Sequence, residues 1–75
     1  MKTRDSFAIR LKELMKIFNV ETWELADYLH IDERTIIDWK KGCYLPGCTV
    51  VCRVADYFDC SVDYLLGRSD VFKRS

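Results

Sequence analysis

The chain has 75 residues, 49% of them hydrophobic and 32% charged, and twelve Lys plus Arg balance twelve Asp plus Glu. That composition is globular and not disordered, and a domain this small buries only about 60% of its unfolded surface, which leaves no room for an ordinary enzyme pocket. No apolar run approaches the roughly 18 residues of a membrane span and no signal-peptide pattern opens the chain, so a non-catalytic cytoplasmic protein away from the membrane is expected.

The neutral total is a sum of unlike segments. Residues 1–16 carry Lys2, Arg4, Arg10, Lys12 and Lys16 against Asp5 and Glu13. Residues 17–31 carry Glu21, Glu24 and Asp27 with no Lys or Arg, whereas residues 68–75 carry Arg68, Lys73 and Arg74 against Asp70. Basic ends of this kind suit an anionic partner, and they also serve plain solubility.

In chain order, Phe7, Leu11, Leu14 and Phe18 recur at steps of four, three and four, one face of an amphipathic helix. Asp5 or Ser6 is expected to cap it, and Asn19, tolerant of the left-handed region, to end it. Leu25, Ala26 and Leu29 mark the inward face of a second helix from Thr22 to Leu29, with His30 at the turn. Small Ala26 lets a neighbouring helix approach. Asp32 is the expected N-cap of a third helix, whose inward positions are Ile36 and Trp39 and which Gly42 stops after Lys41. Tyr44-Leu45-Pro46-Gly47 reads as a loop. A fourth helix from Cys48 to Phe58 buries Val51, Val54, Ala55 and Phe58, and Ser61 caps a short fifth from Val62 to Leu66, ended by Gly67. Every periodic segment fits 3.6 residues per turn and none fits two. The prediction is an all-α, compact five-helix bundle: residues 1–4 a basic arm, 5–67 the domain, 68–75 a basic tail.

The second and third helices, about three residues apart with Ile31 in the turn, have helix-turn-helix spacing, in which the second helix enters a DNA major groove. The chain from Phe7 to about Asp70 then resembles a known family, the Cro/CI-like (XRE-type) helix-turn-helix domains, with their lambda-repressor-like architecture. The residues that carry the resemblance are Arg10-Leu11-Lys12-Glu13-Leu14, Glu24-Leu25-Ala26, Leu29, Ile31, Thr35-Ile36, Trp39, Lys41-Gly42 and Pro46. It continues through Val54-Ala55-Asp56-Tyr57-Phe58 and the closing run from Ser61 to Asp70.

The resemblance implies sequence-specific binding of double-stranded DNA by a small prokaryotic or phage-type transcriptional regulator. A homodimer is expected, because one domain touches too few bases for selectivity in a genome. It puts Glu33, Arg34, Ile37 and Asp38 at base edges, and Thr22, Thr35, Lys40, Lys41 and Tyr44 at the sugar–phosphate backbone. Helical geometry agrees, since Glu33, Arg34, Ile37, Asp38 and Lys41 form one stripe opposite Ile36 and Trp39. Arg34 can bridge guanine O6 and N7, Glu33 or Asp38 can accept from cytosine N4, and Ile37 can meet a thymine methyl or mark a protein interface.

Several positions depart from the family pattern. Glu21 and Thr22 stand where Ser and Gln are usual, which predicts a weaker cap and a shorter phosphate-binding side chain. His30 replaces a common Gly, with some strain at positive φ. Met15 and Lys40 together replace an Arg–Glu pair, so neither charge is left unpaired. Asp32, Glu33 and Asp38 offset Arg34, Lys40 and Lys41 on the reading side, leaving no positive surplus for non-specific attraction. The alternative is therefore the same fold used as a protein-interaction module, through Trp23, Glu33, Ile37 and Asp38.

Cys48 and Cys52 are four apart on one helix, a spacing open to two metal ligands, but no C-x-x-C pair exists and the lone His30 lies far back in the chain. No metal, disulfide or cofactor is expected. The resemblance puts apolar residues at the positions of Cys48, Cys52 and Cys60, so packing as small hydrophobes is the expectation there, with Cys43 exposed. Trp39 reads as core, and Trp23 either covers the junction of the first two helices or offers a patch to a partner. Tyr57, Phe58 and Tyr64 read as core or dimer surface.

Overall fold

The computed structural model, which describes residues 2–73, contains five helices and no strand among those residues. They are α1 (Thr3–Ile17), α2 (Thr22–Leu29), α3 (Glu33–Lys40), α4 (Cys48–Phe58) and α5 (Val62–Leu65). All five end by one device. A residue in the left-handed region follows the last turn, and the next N–H reaches back to a carbonyl five residues earlier. Asn19, His30, Gly42, Asp59 and Gly67 supply the left-handed residues, at φ of 54, 58, 77, 54 and 79°. The returning bonds are Val20 N–H to Met15 O, Ile31 to Ala26, Cys43 to Asp38, Cys60 to Ala55 and Arg68 to Asp63, at 2.8–3.1 Å. Val20 and Ile31 then pack on the core and Cys60 is buried in it, so each of these helix ends also aims the next apolar side chain inward.

α1 packs against α3 and α5, α2 against α3 and α4, and α4 against α5. Their shared core is Phe7, Leu11, Leu14, Leu25, Leu29, Ile36, Trp39, Val51, Val54, Ala55, Phe58 and Leu65, and no described polar or charged residue is buried with them. Trp39 meets Phe7 edge-on, ring centroids 6.1 Å apart.

The first helix starts earlier than its sequence suggests. Lys2 occupies the cap position and Thr3 opens the helix, so neither Asp5 nor Ser6 caps it and residues 3 and 4 are helical, not an arm. No helix breaker stands between them and Phe7, and Asp5 in the first turn faces the positive end of the helix dipole. α5 stops at Leu65, with Leu66 as its C-cap.

Residues 68–72, expected as a tail, fold back onto the bundle. Ser61 N–H donates to the Phe72 carbonyl at 2.9 Å and Ser61 Oγ donates to the Val71 carbonyl at 3.0 Å, while Arg10 Nη2 lies 2.9 Å from Asp70 Oδ1. Phe72 stacks on Phe18 at 6.2 Å and stands edge-on to Tyr64 at 5.3 Å. The rings continue through Phe58 and Tyr57 to Tyr28. Arg10 lies 4.1 Å over Tyr64 at one end, and Arg53 lies 5.8 Å from the Tyr28 centroid at the other. Burial disfavours the Arg10 guanidinium, but its hydrogen bond to Asp70 and its interaction with Tyr64 outweigh that and lift its pKa above the usual value.

The cysteine expectation is corrected for two of three positions. Cys60 is buried, but Cys48 and Cys52 are exposed, as is Cys43. α4 turns Val51, Val54, Ala55 and Phe58 inward, which leaves Cys48 and Cys52 on its flank, along an open groove that Leu45, Pro46, Val62 and Leu66 also line.

Candidate nucleic-acid interface

α2 and α3 are eight-residue helices joined by residues 30–32. Glu24, in the first turn of α2, accepts the Glu21 N–H on its Oε1 at 2.8 Å. This bond serves one of the otherwise orphaned amides, so the absence of Ser at position 21 does not leave the helix start unsupported. Asp32 holds the N-cap position of α3 but its carboxylate makes no capping bond; its carbonyl accepts from Thr35 N–H at 3.1 Å.

With Ile36 and Trp39 buried, α3 leaves Glu33, Arg34, Ile37 and Lys41 exposed and Asp38 half-buried. The stripe read from helical spacing is thus outward-facing. Arg34 Nε sits 3.7 Å from Asp38 Oδ1 across one turn, with the Arg34 side chain 80% exposed. An exposed i, i+4 pair of this kind contributes only about 0.3–0.5 kcal/mol. Asp38 therefore orients Arg34 loosely and does not sequester it.

Thr22, Thr35 and Lys40 are half-buried, and Tyr44 is exposed in the loop beyond α3. Thr22 and Lys40 come together with Lys12, Lys16, Asn19 and Glu21 around a cleft of about 390 Å³, at the junction of α1, the start of α2 and the end of α3. Met15, half of the replaced Arg–Glu pair, also lines this cleft, and its partner Lys40 adds positive charge there. Three lysines against Glu21 give the start of α2 the positive surplus that α3 lacks. Lys12 and Lys16 were not among the residues singled out from the sequence. Their signal was present in the basic balance of residues 1–16 and in their i, i+4 spacing, which puts both on one face of α1.

Trp23 is 60% exposed and Ile37 is 37% exposed. Trp23 thus leaves more than half of its surface open. Among the described residues no three His, Cys, Asp or Glu side chains gather into a metal-binding group, and no helix is long and apolar enough to cross a membrane. No family model matches the chain, and no curated protein or solved structure matches it.

Proposed function

We propose that this domain binds double-stranded DNA, with α3 in the major groove, as a small transcriptional regulator acting as a homodimer. The observation that carries this reading is the lysine-lined cleft at the head of α2, beside the outward stripe of α3. A phosphate there would meet Lys12, Lys16 and Lys40 together with Thr22 and the first amides of α2. The contact fixes the register of α3 on the duplex, and base edges are left to α3 itself. Arg34, in its first turn, reaches for guanine and leaves Asp38 at small cost. Lys41 and Tyr44, beyond the helix, meet the backbone on the far side of the groove. Each lysine that neutralises a phosphate contributes about −0.9 to the slope of log affinity against log salt.

The test is selection from a random duplex library, followed by salt-titrated binding. Arg34→Ala is expected to cost about 1–3 kcal/mol on the selected site and to relax preference at one base per half-site. Lys41→Ala and Lys16→Ala are expected to weaken all duplexes alike and to lower the salt slope by about one each. Glu33→Gln raises non-specific affinity and changes the preferred base. If no duplex is enriched at low salt and none of these substitutions matters, groove reading fails.

A second reading has its own observation. Trp23 on α2 and Ile37 on α3 are exposed, as is Glu33, with Asp38 half-buried, and apolar and acidic side chains of this kind suit a protein partner. Loss of partner binding in Trp23→Ala, with DNA binding absent from the parent, would favour it.

A further inference from the structure

We propose that Cys48 and Cys52 form a two-coordinate thiolate site for a soft monovalent metal ion, of the class of Cu(I). Both thiols are exposed, and both line one groove of about 360 Å³ whose other walls include Leu45, Pro46, Val51 and Leu66. They stand one turn apart on α4, which begins at Cys48. Residues at i and i+4 have Cβ atoms about 5–6 Å apart. That is too wide for a disulfide, which needs about 3.5–4.5 Å. It suits a metal held between two sulfurs: with metal–sulfur bonds of about 2.3 Å, the length seen in zinc thiolates, a linear S–metal–S unit spans about 4.6 Å.

The donor set selects the ion. Zinc sites close with four ligands, and no third His, Cys, Asp or Glu joins these two thiols among the described residues. Magnesium and calcium need oxygen ligands. Two thiolates in an apolar groove are a soft, low-coordinate set, which favours Cu(I) over harder ions. On binding, each thiol loses its proton to solvent, two sulfur–metal bonds form, and the bis-thiolate complex carries one negative charge. Arg68 lines the same groove. It makes an exposed ion pair with Asp63 at 4.0 Å, which holds it weakly. The positive end of α4, beneath Cys48, adds to the same compensation. The site is separate from α3, so it stands whether or not the domain binds DNA.

The test uses the reduced full chain under anaerobic conditions, titrated with Cu(I) held by the chelator bicinchoninate. The parent and Cys43→Ser are expected to withdraw one Cu(I) per chain, with two sulfur neighbours by X-ray absorption. Cys48→Ser and Cys52→Ser, both surface substitutions checked for helicity by circular dichroism, are expected to leave the ion with the chelator. In the unaltered chain, bound Cu(I) is expected to protect Cys48 and Cys52 from iodoacetamide while Cys43 is still alkylated. The proposal is overturned if the parent withdraws no metal, if Cys48→Ser or Cys52→Ser withdraws as much as the parent, or if alkylation at both sites is unchanged. Half an equivalent bound in a chain that has become dimeric would overturn it too, since the ion would then bridge two copies.

Discussion

Gly67→Ala tests the closure of the bundle more sharply than any core truncation. Gly67 lies at φ +79°, and a Cβ built there would stand 2.5 Å from Ser6 Cβ and 2.9 Å from Ser6 Oγ. Ser6 belongs to α1, so its Cβ is fixed by the helix and cannot rotate away. The left-handed conformation costs a residue with a side chain about 1–2 kcal/mol, and forcing a methyl into a filled contact costs about 1–3 kcal/mol more. The expected loss is about 2–5 kcal/mol, against a total stability of about 4–11 kcal/mol for a domain of this length. Ser6→Gly removes the obstructing atoms at about 0.5–1 kcal/mol of helix propensity. In that background Gly67→Ala should retain only its conformational cost, giving a coupling of about 1–3 kcal/mol. Urea unfolding of the four proteins of the cycle measures this, with unchanged m-values showing that the unfolded state is common to all. A cost below about 0.5 kcal/mol, within ordinary surface variation, or an equal cost in both backgrounds, would refute the close approach of α5 to α1.

Trp39→Ala should destabilise by about 3–5 kcal/mol in the same assay, because the side chain is 2% exposed against Phe7. Trp39→Phe should cost far less, since the buried Nε1 has no hydrogen-bond partner among the described residues to lose. Ser61→Ala should cost about 0.5–2 kcal/mol, as it removes both the cap on Tyr64 N–H and the bond to the Val71 carbonyl; calorimetry reads this directly. Asp70→Asn should cost no more than about 1 kcal/mol, because the Asp70 side chain is 99% exposed. Ellman's reagent should titrate Cys43, Cys48 and Cys52 quickly in the native protein and Cys60 only on unfolding.

Helix interiors were legible because their apolar residues repeat with the helical period: Leu25–Ala26–Leu29 and Val51–Val54–Ala55–Phe58 lie buried where the spacing put them. Asn19, Gly42 and Gly67 announced their ends by residue type, whereas His30, where a Gly is common, and Asp59 adopt the same conformation with less advertisement. The start of α1 was harder to read, because Asp5 and Ser6 are good caps that tertiary structure uses as helical residues. Cys48 and Cys52 misled for a different reason. They lie on the flank of α4 along an open groove, and how far Leu45, Pro46, Val62 and Leu66 cover that flank is something no local pattern around α4 reports. The outward stripe of α3 followed from periodicity alone, whereas the lysine cleft joins residues of three helices and needs the packing of α1 to be known. Phe72 was the missed clue to the fold-back: an aromatic in a polar terminal stretch needs an apolar place to rest.

The position of α1 between α3 and α5 has a consequence for biosynthesis. α1 leaves the ribosome before the elements that cover it, and it carries Phe7, Leu11, Leu14 and Met15, which pack on elements made later, down to Leu65. At about 5–20 residues per second, translation holds that face unshielded for several seconds, far longer than a small helical domain needs to collapse. During that interval the charges of the same helix, Arg4, Arg10, Lys12 and Lys16 among them, favour its solvation and oppose association of nascent chains.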